Sequence, residues 1–271
     1  MRLEIVYETT YQYAPPVRSG LTVLRLRPVP RLDLDVVHSH ISVTPGYLTS
    51  SYIDGWGSQV DLIETRESHS RLTFRMDAVV ETLPGRIQAA LSPMEGEVFR
   101  AQSDRTPFSE VDSLGWTIGD EGRSWTAVEA LLGWIPQRFL YQVGITDAET
   151  TLEQFLSQGA GVCQDFAHLY IALLRRWGWP ARYVSGYFFS AGPGAERIEA
   201  EAMHAWVEVY REGTGWIALD ATAGEYADSR YVPVGYGRDY NDVSPVRGML
   251  QGGTQQVQVS RLEMVQGQAQ Q

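Results

Sequence analysis

The sequence predicts an α+β protein in which an N-terminal β-sandwich is followed by a core of helices and then antiparallel strands. Up to about residue 82, apolar and polar residues alternate with a period of two, and clusters of proline and glycine interrupt the alternation. From Trp125 onward, apolar residues recur first at helical spacing and then in short β-prone runs with hairpin-sized connections. Strands followed by helices and further strands are expected of an α+β chain with two units.

The N-terminal unit is predicted to span residues 1–95 as a β-sandwich. Two runs show the alternation most clearly: Leu3, Ile5, Tyr7 and Thr9, and then Leu72, Phe74, Met76, Ala78 and Val80. Turn-forming residues separate the runs, at 15–16, 28–30, 45–46 and 54–57. The polar stretch from Pro84-Gly85 to Thr106-Pro107 is interpreted as the connection to the second unit.

The second unit is predicted to span residues 96–245 and to begin with a helix. Its first helical pattern consists of Trp125, Val128, Leu131, Leu132 and Ile135. Thr150 and Glu153 match a capping box, which predicts the start of a short helix. Strands are expected near residues 181–189, 202–210 and 216–220. The loop between Ser190 and Ala200 is either a lid that faces the substrate or an ordinary solvated loop.

The C-terminal segment, residues 246–271, is predicted to contain one strand and a flexible tail. Val257, Val259 and Leu262 supply a short alternating pattern. The segment from Gln251 on is rich in glutamine and glycine, and the final residues are expected to be poorly ordered.

Cys163 lies at a position suited to a nucleophile. Gly159 and Gly161 interrupt the preceding structure, and a helical pattern of apolar residues begins at Phe166. Cys163 is therefore expected in the first turn of a helix, where unpaired backbone N–H groups and the helix dipole stabilise a thiolate. A single buried cysteine can also be a small packing residue, so this position alone does not establish catalysis.

Two β-prone runs downstream carry His204 and Asp220, and the connection 211–214 between them contains a glycine. Side chains alternate between the faces of a strand, so the hairpin register decides whether the two residues meet. A three-residue loop would put them on one face, either opposite each other or one pair apart. A regular two-residue loop would put them on opposite faces unless a bulge corrected the register.

Cysteine, histidine and aspartate in this order match the logic of a catalytic triad with a thiol nucleophile. The histidine would take the thiol proton and return it to the leaving group, and the carboxylate would hold the histidine tautomer. His204 could instead be an ordinary hydrogen-bonded strand residue, and Asp220 could be a turn residue at a strand end. The combination of all three is more specific than any one of them.

Four motifs resemble the bacterial transglutaminase-like family, whose members are often described as cysteine proteases: 161–167 (GVCQDFA), 182–187 (RYVSGY), 204–206 (HAW) and 219–222 (LDAT). The resemblance covers most of the chain, including the β-rich N-terminal part and a closing segment at 237–245. It implies a papain-like core with Cys163 as nucleophile, His204 as base and Asp220 as orienting acid. Met203 and Ala221 depart from the family pattern, in which serine and proline are common at those positions.

Donors for the oxyanion of acyl transfer are also expected near Cys163. The backbone N–H of Cys163 is one candidate, and Tyr141 lies roughly where related enzymes place a hydrogen-bonding aromatic residue. Tyr141 could equally be a core tyrosine. Gln164 is expected in the pocket, and Trp206 is expected to be a pocket wall or a core residue.

Composition limits the partners and the compartment. The formal net charge of −11 disfavours nucleic acid, because phosphate contacts need clustered cations. A single cysteine excludes an intramolecular disulfide and a cysteine-based zinc site, and we expect no metal and no cofactor. No secretion signal or long apolar span is present, so we expect no membrane partner and a cytoplasmic protein.

The sequence thus predicts thiol-dependent acyl transfer or hydrolysis at an amide carbonyl, through a thioester. The expected partners are a protein or peptide amide and, for transglutamination, a primary amine as acceptor. Attack by water would instead make the protein a cysteine protease or amidase on the same scaffold. A non-catalytic protein-binding module is the third possibility. The substrate and the oligomeric state do not follow from the sequence.

Overall fold

Two antiparallel sheets, a two-stranded parallel pair and a layer of helices form the fold in the computed structural model, which describes residues 1–83, 90–114, 124–191, 196–200 and 202–267. The strands are β1 (Arg2–Leu24), β2 (Leu34–Thr44), β3 (Tyr47–Ile53), β4 (Gln59–Thr65), β5 (His69–Thr82), β6 (Leu140–Tyr141), β7 (Ala160–Gly161), β8 (Ala181–Phe188), β9 (Arg197–Ala200), β10 (His204–Arg211), β11 (Gly215–Asp220), β12 (Glu225–Tyr226), β13 (Tyr231–Gly237), β14 (Val246–Gly252) and β15 (Gln255–Gly267). The helices are α1 (Pro93–Arg100), α2 (Phe108–Asp112), α3 (Trp125–Arg138), α4 (Leu152–Gln158), α5 (Cys163–Arg176) and α6 (Tyr240–Val243).

The long strand β1 organises an eight-stranded sheet. Its first part lies between β5 and β15, so that Tyr7 faces Met76 on one side and Leu262 on the other. Its last part, residues 20–24, lies between β4 and β14. The strands therefore belong to one continuous sheet, and the buried residues of both parts share one apolar cluster. The packing of two sheet halves as a sandwich stays a prediction.

The C-terminal segment completes this N-terminal sheet. Both β14 and β15 pair with β1, and Arg2 at the start of β1 faces Gly267 at the end of β15. The predicted strand around Val257 is confirmed and is longer than expected, since β15 has 13 residues. Residues 268–271, which were assigned to a flexible tail, lie outside the described residues.

The core consists of the sheet β12-β11-β10-β8-β13 with α5 packed against one face. Ala205, Val207 and Val209 point from β10 toward α5, because alternate residues of a strand share a face. The helix predicted from Trp125 is confirmed as α3, and the three predicted strands are confirmed as β8, β10 and β11. This arrangement brings the start of α5 beside the start of β10.

Two of the helices begin with a capping box. Helix α4 has a capping box formed by Thr151 and Gln154, so the predicted pair of Thr150 and Glu153 is wrong by one residue. Helix α1 has a capping box formed by Ser92 and Glu95, within the stretch that the sequence interpretation treated only as a connection. The Pro84-Gly85 part of that connection lies outside the described residues.

A buried ion-pair network joins the two sheets. Glu208 on β10 is fully buried and accepts hydrogen bonds from Arg31 at 2.8 Å and from Arg182 at 2.6 Å. Arg31 follows β1, whereas Arg182 lies on β8. The Arg182 guanidinium is also held between two aromatic rings, 4.2 Å from the centroid of Trp216 and 4.1 Å from that of Tyr236. Because Glu208 is paired on both sides, the desolvation cost of its charge is offset.

The longest helices, α3 and α5, have 14 residues each. Within the described parts of the chain, no helix combines the length and the apolar composition needed to cross a membrane.

Candidate active site

Cys163 is the first residue of α5, as the sequence predicts, and the turn before it is closely packed. The Asp165 carboxylate reaches back to accept a hydrogen bond from the Val162 N–H at 2.8 Å and another from the Thr146 hydroxyl at 2.7 Å. A Cβ on Gly161 would lie only 2.5 Å from this carboxylate, so no side chain fits there. These contacts hold the thiol of Cys163 at the positive end of the helix dipole.

The hairpin register brings His204 and Asp220 together. Arg211 pairs with Gly215, which leaves a three-residue loop, and Val207 pairs with Leu219. This is the register that puts His204 and Asp220 on one face, so that prediction is confirmed. His204 Nε2 lies 2.7 Å from Asp220 Oδ2.

Asp220 is buried and accepts hydrogen bonds through both carboxylate oxygens. Its Oδ2 binds His204 and the Tyr231 hydroxyl, the latter at 2.8 Å, and its Oδ1 binds the Thr222 N–H at 2.8 Å. Burial alone would raise the pKa of Asp220, but the hydrogen bonds and the nearby imidazolium lower it below the ordinary value. Asp220 is therefore a carboxylate at neutral pH.

His204 is hydrogen-bonded to Asp220, and the thiol of Cys163 lies beside the imidazole. Burial opposes protonation of the ring, but these two partners outweigh it and raise the pKa of His204 to about 10. Because Nε2 is engaged by the carboxylate, Nδ1 is the nitrogen left for the thiol. The histidine is thus an imidazolium at neutral pH, set between a carboxylate and a sulfur.

Aromatic rings restrict the orientation of the imidazole. The Phe188 ring lies 5.2 Å from the His204 ring at an interplanar angle of 31°, and it stacks on Tyr231 at 4.3 Å. Sequence reasoning missed both Phe188 and Tyr231 as site residues. Tyr231 begins β13, whose alternation is obscured by Pro233 and by two glycines. Proline is tolerated in β13 because this strand lies at the edge of the sheet.

Tyr141 lies close to the thiol. It pairs with Gly161, two residues before Cys163, in the short parallel contact between β6 and β7, and it is 47% exposed. Burial raises the pKa of Tyr141, as do the negative charges of Cys163 and Asp220 in their ionised forms. The phenol therefore keeps its proton at neutral pH and can donate a hydrogen bond.

The two other expected pocket residues differ in their placement. Gln164 lines the same cleft as Cys163, and its amide donates a hydrogen bond to the Ala148 carbonyl at 3.4 Å. Trp206 does not line that cleft. It is fully buried behind His204 and lies edge-on to Tyr231, where a Cβ on Gly186 would come within 2.4 Å of its ring. Trp206 is thus a core residue, which is one of the two expected roles.

Cys163 and His204 line a cleft of about 990 Å³ between the two sheets. One wall contains Cys163, His204 and Tyr141, and the opposite wall comes from β1 and β15. Met203, one of the departures from the family pattern, lines the cleft and packs against the apolar cluster of the N-terminal sheet. Within the described residues, no three His, Cys, Asp or Glu side chains are grouped as metal ligands. The expectation that the protein needs no metal or cofactor stays a prediction.

The segment before His204 is tied to the N-terminal sheet. Its strand β9 pairs with residues 262–265 of β15. This pairing covers the second part of the loop for which either a lid or a solvated loop was expected, and residues 192–195 lie outside the described residues. The strand holds residues 202–204 at the edge of the cleft.

Two family models match the chain. The model of the transglutaminase-like superfamily matches residues 115–221, which include Cys163, His204 and Asp220. The model of the bacterial transglutaminase-like N-terminal region matches residues 3–81, which correspond to β1 through β5.

Similar proteins span nearly the whole chain. The uncharacterized protein ML0607 of Mycobacterium leprae is 30% identical over 93% of this chain and 94% of its own length. The uncharacterized protein Rv2569c of Mycobacterium tuberculosis is 33% identical over 92% of this chain and 87% of its own length. The crystal structure of a putative cysteine protease from Cytophaga hutchinsonii has a TM-score of 0.78 at 23% identity, and the match covers 100% of this chain and 92% of that one. The likeness to this structure concerns the fold.

Proposed function

We propose, from the premise that this chain belongs to the transglutaminase-like superfamily, that it catalyses acyl transfer or hydrolysis at an amide carbonyl. Membership in this superfamily supports thiol-dependent catalysis in general. The observation that carries the finer assignment is the hydrogen bond between His204 and Asp220 beside Cys163, with which His204 shares the cleft. Cys163 is the nucleophile, His204 the general base and acid, and Asp220 the residue that orients the imidazole.

The first half of the reaction forms a thioester. The sulfur of Cys163 attacks the amide carbon, and the carbonyl oxygen becomes an oxyanion near the start of α5. The Cys163 backbone N–H and the Tyr141 hydroxyl are the donors that we assign to this oxyanion. As the C–N bond breaks, His204 donates its proton to the leaving amine, and the raised pKa of the imidazolium keeps that proton available at neutral pH.

The second half resolves the thioester. A primary amine that attacks the thioester carbon forms a new amide and returns the thiol, whereas water forms a carboxylic acid. In both cases neutral His204 takes a proton from the attacking group, and Cys163 is the leaving group. Amine transfer defines a transglutaminase, and attack by water defines a protease or amidase. Both use the same residues up to the thioester.

Mass spectrometry of reaction products tests the assignment. The protein and its Cys163→Ala variant are each incubated with a glutamine-containing protein and a fluorescent primary amine. We expect amine incorporation, deamidation or chain cleavage that is absent from the variant, and the kind of product names the acceptor. Cys163 is the only cysteine of the chain, so a thiol-specific label also reports this site alone. Equal product yields from both proteins, or no product together with an inert thiol, would favour a non-catalytic binding module.

A further inference from the structure

The wall of the cleft opposite Cys163 is formed by β1 and β15, and its side chains change from apolar to polar along these strands. Deep in the sheet, Ile5 pairs with Met264 and Tyr7 with Leu262, and all four residues are buried in the apolar cluster. Toward residue 13 of β1, the pairs that share this face have polar partners on β15. They are Thr9 with Ser260, Tyr11 with Gln258 and Tyr13 with Gln256.

These polar pairs are connected and face the cleft. The Gln258 amide donates to the hydroxyls of Thr9 and Ser260, each at 3.2 Å, and Ser260 donates to Thr9 at 2.9 Å. Tyr11, Gln256, Gln258 and Ser260 all line the cleft that contains Cys163. Val257 and Val259 of the same strand are each 62% exposed, and of these two Val259 also lines the cleft. On this part of β15 the polar side chains therefore contribute to the cleft, whereas Val257 lies outside its lining.

One edge of β15 is open beside this wall. All of β15 pairs with β1 along one edge. On the other edge of β15, β9 pairs only with residues 262–265. Among the described residues, no strand pairs with that edge at 255–261. An unpaired edge presents free backbone N–H and C=O groups, and sheets commonly protect such edges with charges or proline. The residues 255–260 of this edge include neither.

The cleft is almost free of charge, although the chain has a formal net charge of −11. Of the described residues that line it, only Glu149 and Arg247 are charged besides His204, and these two have opposite signs. A charged group that entered this wall would lose water without gaining a partner. The lining instead offers aromatic rings, hydroxyls and amides, which suit an uncharged polar ligand.

We propose that the open edge of β15 at residues 255–261 binds the substrate as an added β-strand, and that the substrate is an extended polypeptide segment of uncharged polar residues. Backbone hydrogen bonds to β15 would hold the segment in line with β9, and the paired Tyr11 and Gln258 would contact its side chains. The segment would then present its amide side chain or peptide bond to Cys163 across the cleft. This assignment of the substrate class rests on the proposed function.

Binding measurements on the Cys163→Ala variant test the assignment without turnover. The probe is a fluorescein-labelled decapeptide of serine, threonine, asparagine and glycine with one central glutamine, followed by fluorescence anisotropy. We expect saturable binding that weakens at least ~10-fold when alternate backbone nitrogens of the peptide are methylated, because methylation removes the donors of strand pairing. Replacement of two flanking residues by lysine is expected to weaken binding by a similar factor.

A charge-matched pair of variants locates the binding edge. In the Cys163→Ala background, Gln258→Glu puts a carboxylate in the cleft, whereas Gln255→Glu puts one on the same strand outside the cleft lining. We expect Gln258→Glu to shift the preference about tenfold toward the lysine-flanked peptide, and Gln255→Glu to leave it unchanged. Equal unfolding temperatures of the two variants would confirm that both are folded.

Three results would overturn the assignment: no saturable binding of the neutral peptide, no effect of methylation, or equal shifts in the two variants. The proposed function is judged separately, by acylation of Cys163 in the parent protein with a small activated ester. An acylated thiol together with failed peptide binding removes only the substrate assignment. Peptide binding with a thiol that cannot be acylated removes the catalytic assignment instead.

Discussion

Replacement of Asp220 by asparagine tests the electrostatics around His204. Asparagine keeps the shape of the side chain but lacks the negative charge that lies 2.7 Å from His204 Nε2. The pKa of His204 is about 10, against 6.5 for an ordinary histidine. At about 1.4 kcal/mol for each pH unit, this difference favours the imidazolium by ~5 kcal/mol. Asp220 and the thiol share this stabilisation, so loss of the Asp220 charge is expected to lower the pKa of His204 by at least ~2 pH units.

The direction in which the pH dependence of kcat should move follows from the raised pKa of His204. The folded parent protein keeps the His204 proton as pH rises through neutrality and loses it only near pH 10. In Asp220→Asn the proton leaves at lower pH, so the alkaline limb of kcat moves to lower pH by the same interval. NMR titration of the imidazoles measures the pKa directly, and a His204→Gln spectrum identifies the signal among the five histidines. We expect kcat at neutral pH to fall ~10²–10⁴-fold.

The control for this experiment is Asp228→Asn. Asp228 loses the same charge, but it is half-exposed and pairs with Arg230 at 2.9 Å rather than with a histidine. It should leave both the His204 titration and kcat unchanged. If His204 titrated at the same pH in Asp220→Asn as in the parent protein, the assignment of Asp220 as the residue that holds the imidazolium would be refuted.

Three further substitutions have defined outcomes. Tyr231→Phe removes a buried hydrogen bond to the triad carboxylate. It should cost about 1.5–3 kcal/mol in urea unfolding and reduce kcat more than it changes KM, and an unchanged stability would contradict the role of the hydroxyl. Glu208→Ala leaves Arg182 without its carboxylate partner and Arg31 with Asp33 alone, and it should destabilise the protein by about 1.5–3 kcal/mol, whereas exposed Glu212→Ala should change little. Tyr141→Phe should lower kcat ~10²–10³-fold with KM nearly constant if the phenol binds the oxyanion, and a change in KM alone would assign it to substrate binding.

The candidate site could be predicted largely from local signals. Helical spacing after Gly161 places Cys163 at a helix start, because the hydrophobic period is set by neighbouring residues. The parity of the hairpin loop determines whether His204 and Asp220 share a face, and a short connection with a glycine limits the choices. The chemical logic of the triad depends on these two local features, so the sequence contains enough information to predict it.

Residues that depend on distant pairing could not be predicted in the same way. Tyr231 reaches Asp220 only because β13 returns to the edge of the core sheet beside β8, a topology that no local pattern encodes. Strand alternation puts Trp206 on the face of His204, but the covering of its ring depends on β8 and β13. Whether such a position is pocket or core therefore follows from tertiary packing.

The pairing of β15 with β1 in one sheet also could not be predicted from local patterns. The sequence contains a strand pattern around Val257, but nothing in it specifies pairing with β1 at the other end of the chain. Such a register is set by the complementary faces of two strands that are remote in sequence. For the same reason, the contribution of Gln258 to the cleft becomes visible only in the folded protein.

Because β15 pairs with β1, the order of synthesis matters for this protein. Strand β1 leaves the ribosome early, but one of its partners is made only after the whole core has been translated. Contacts between such distant segments form slowly, and until they form an unpaired strand edge is available to other chains. During that interval the core can hold its cysteine and histidine while one wall of the cleft is still missing. Pairing of β15 with β1, rather than folding of the core, would then be the event that makes the protein selective.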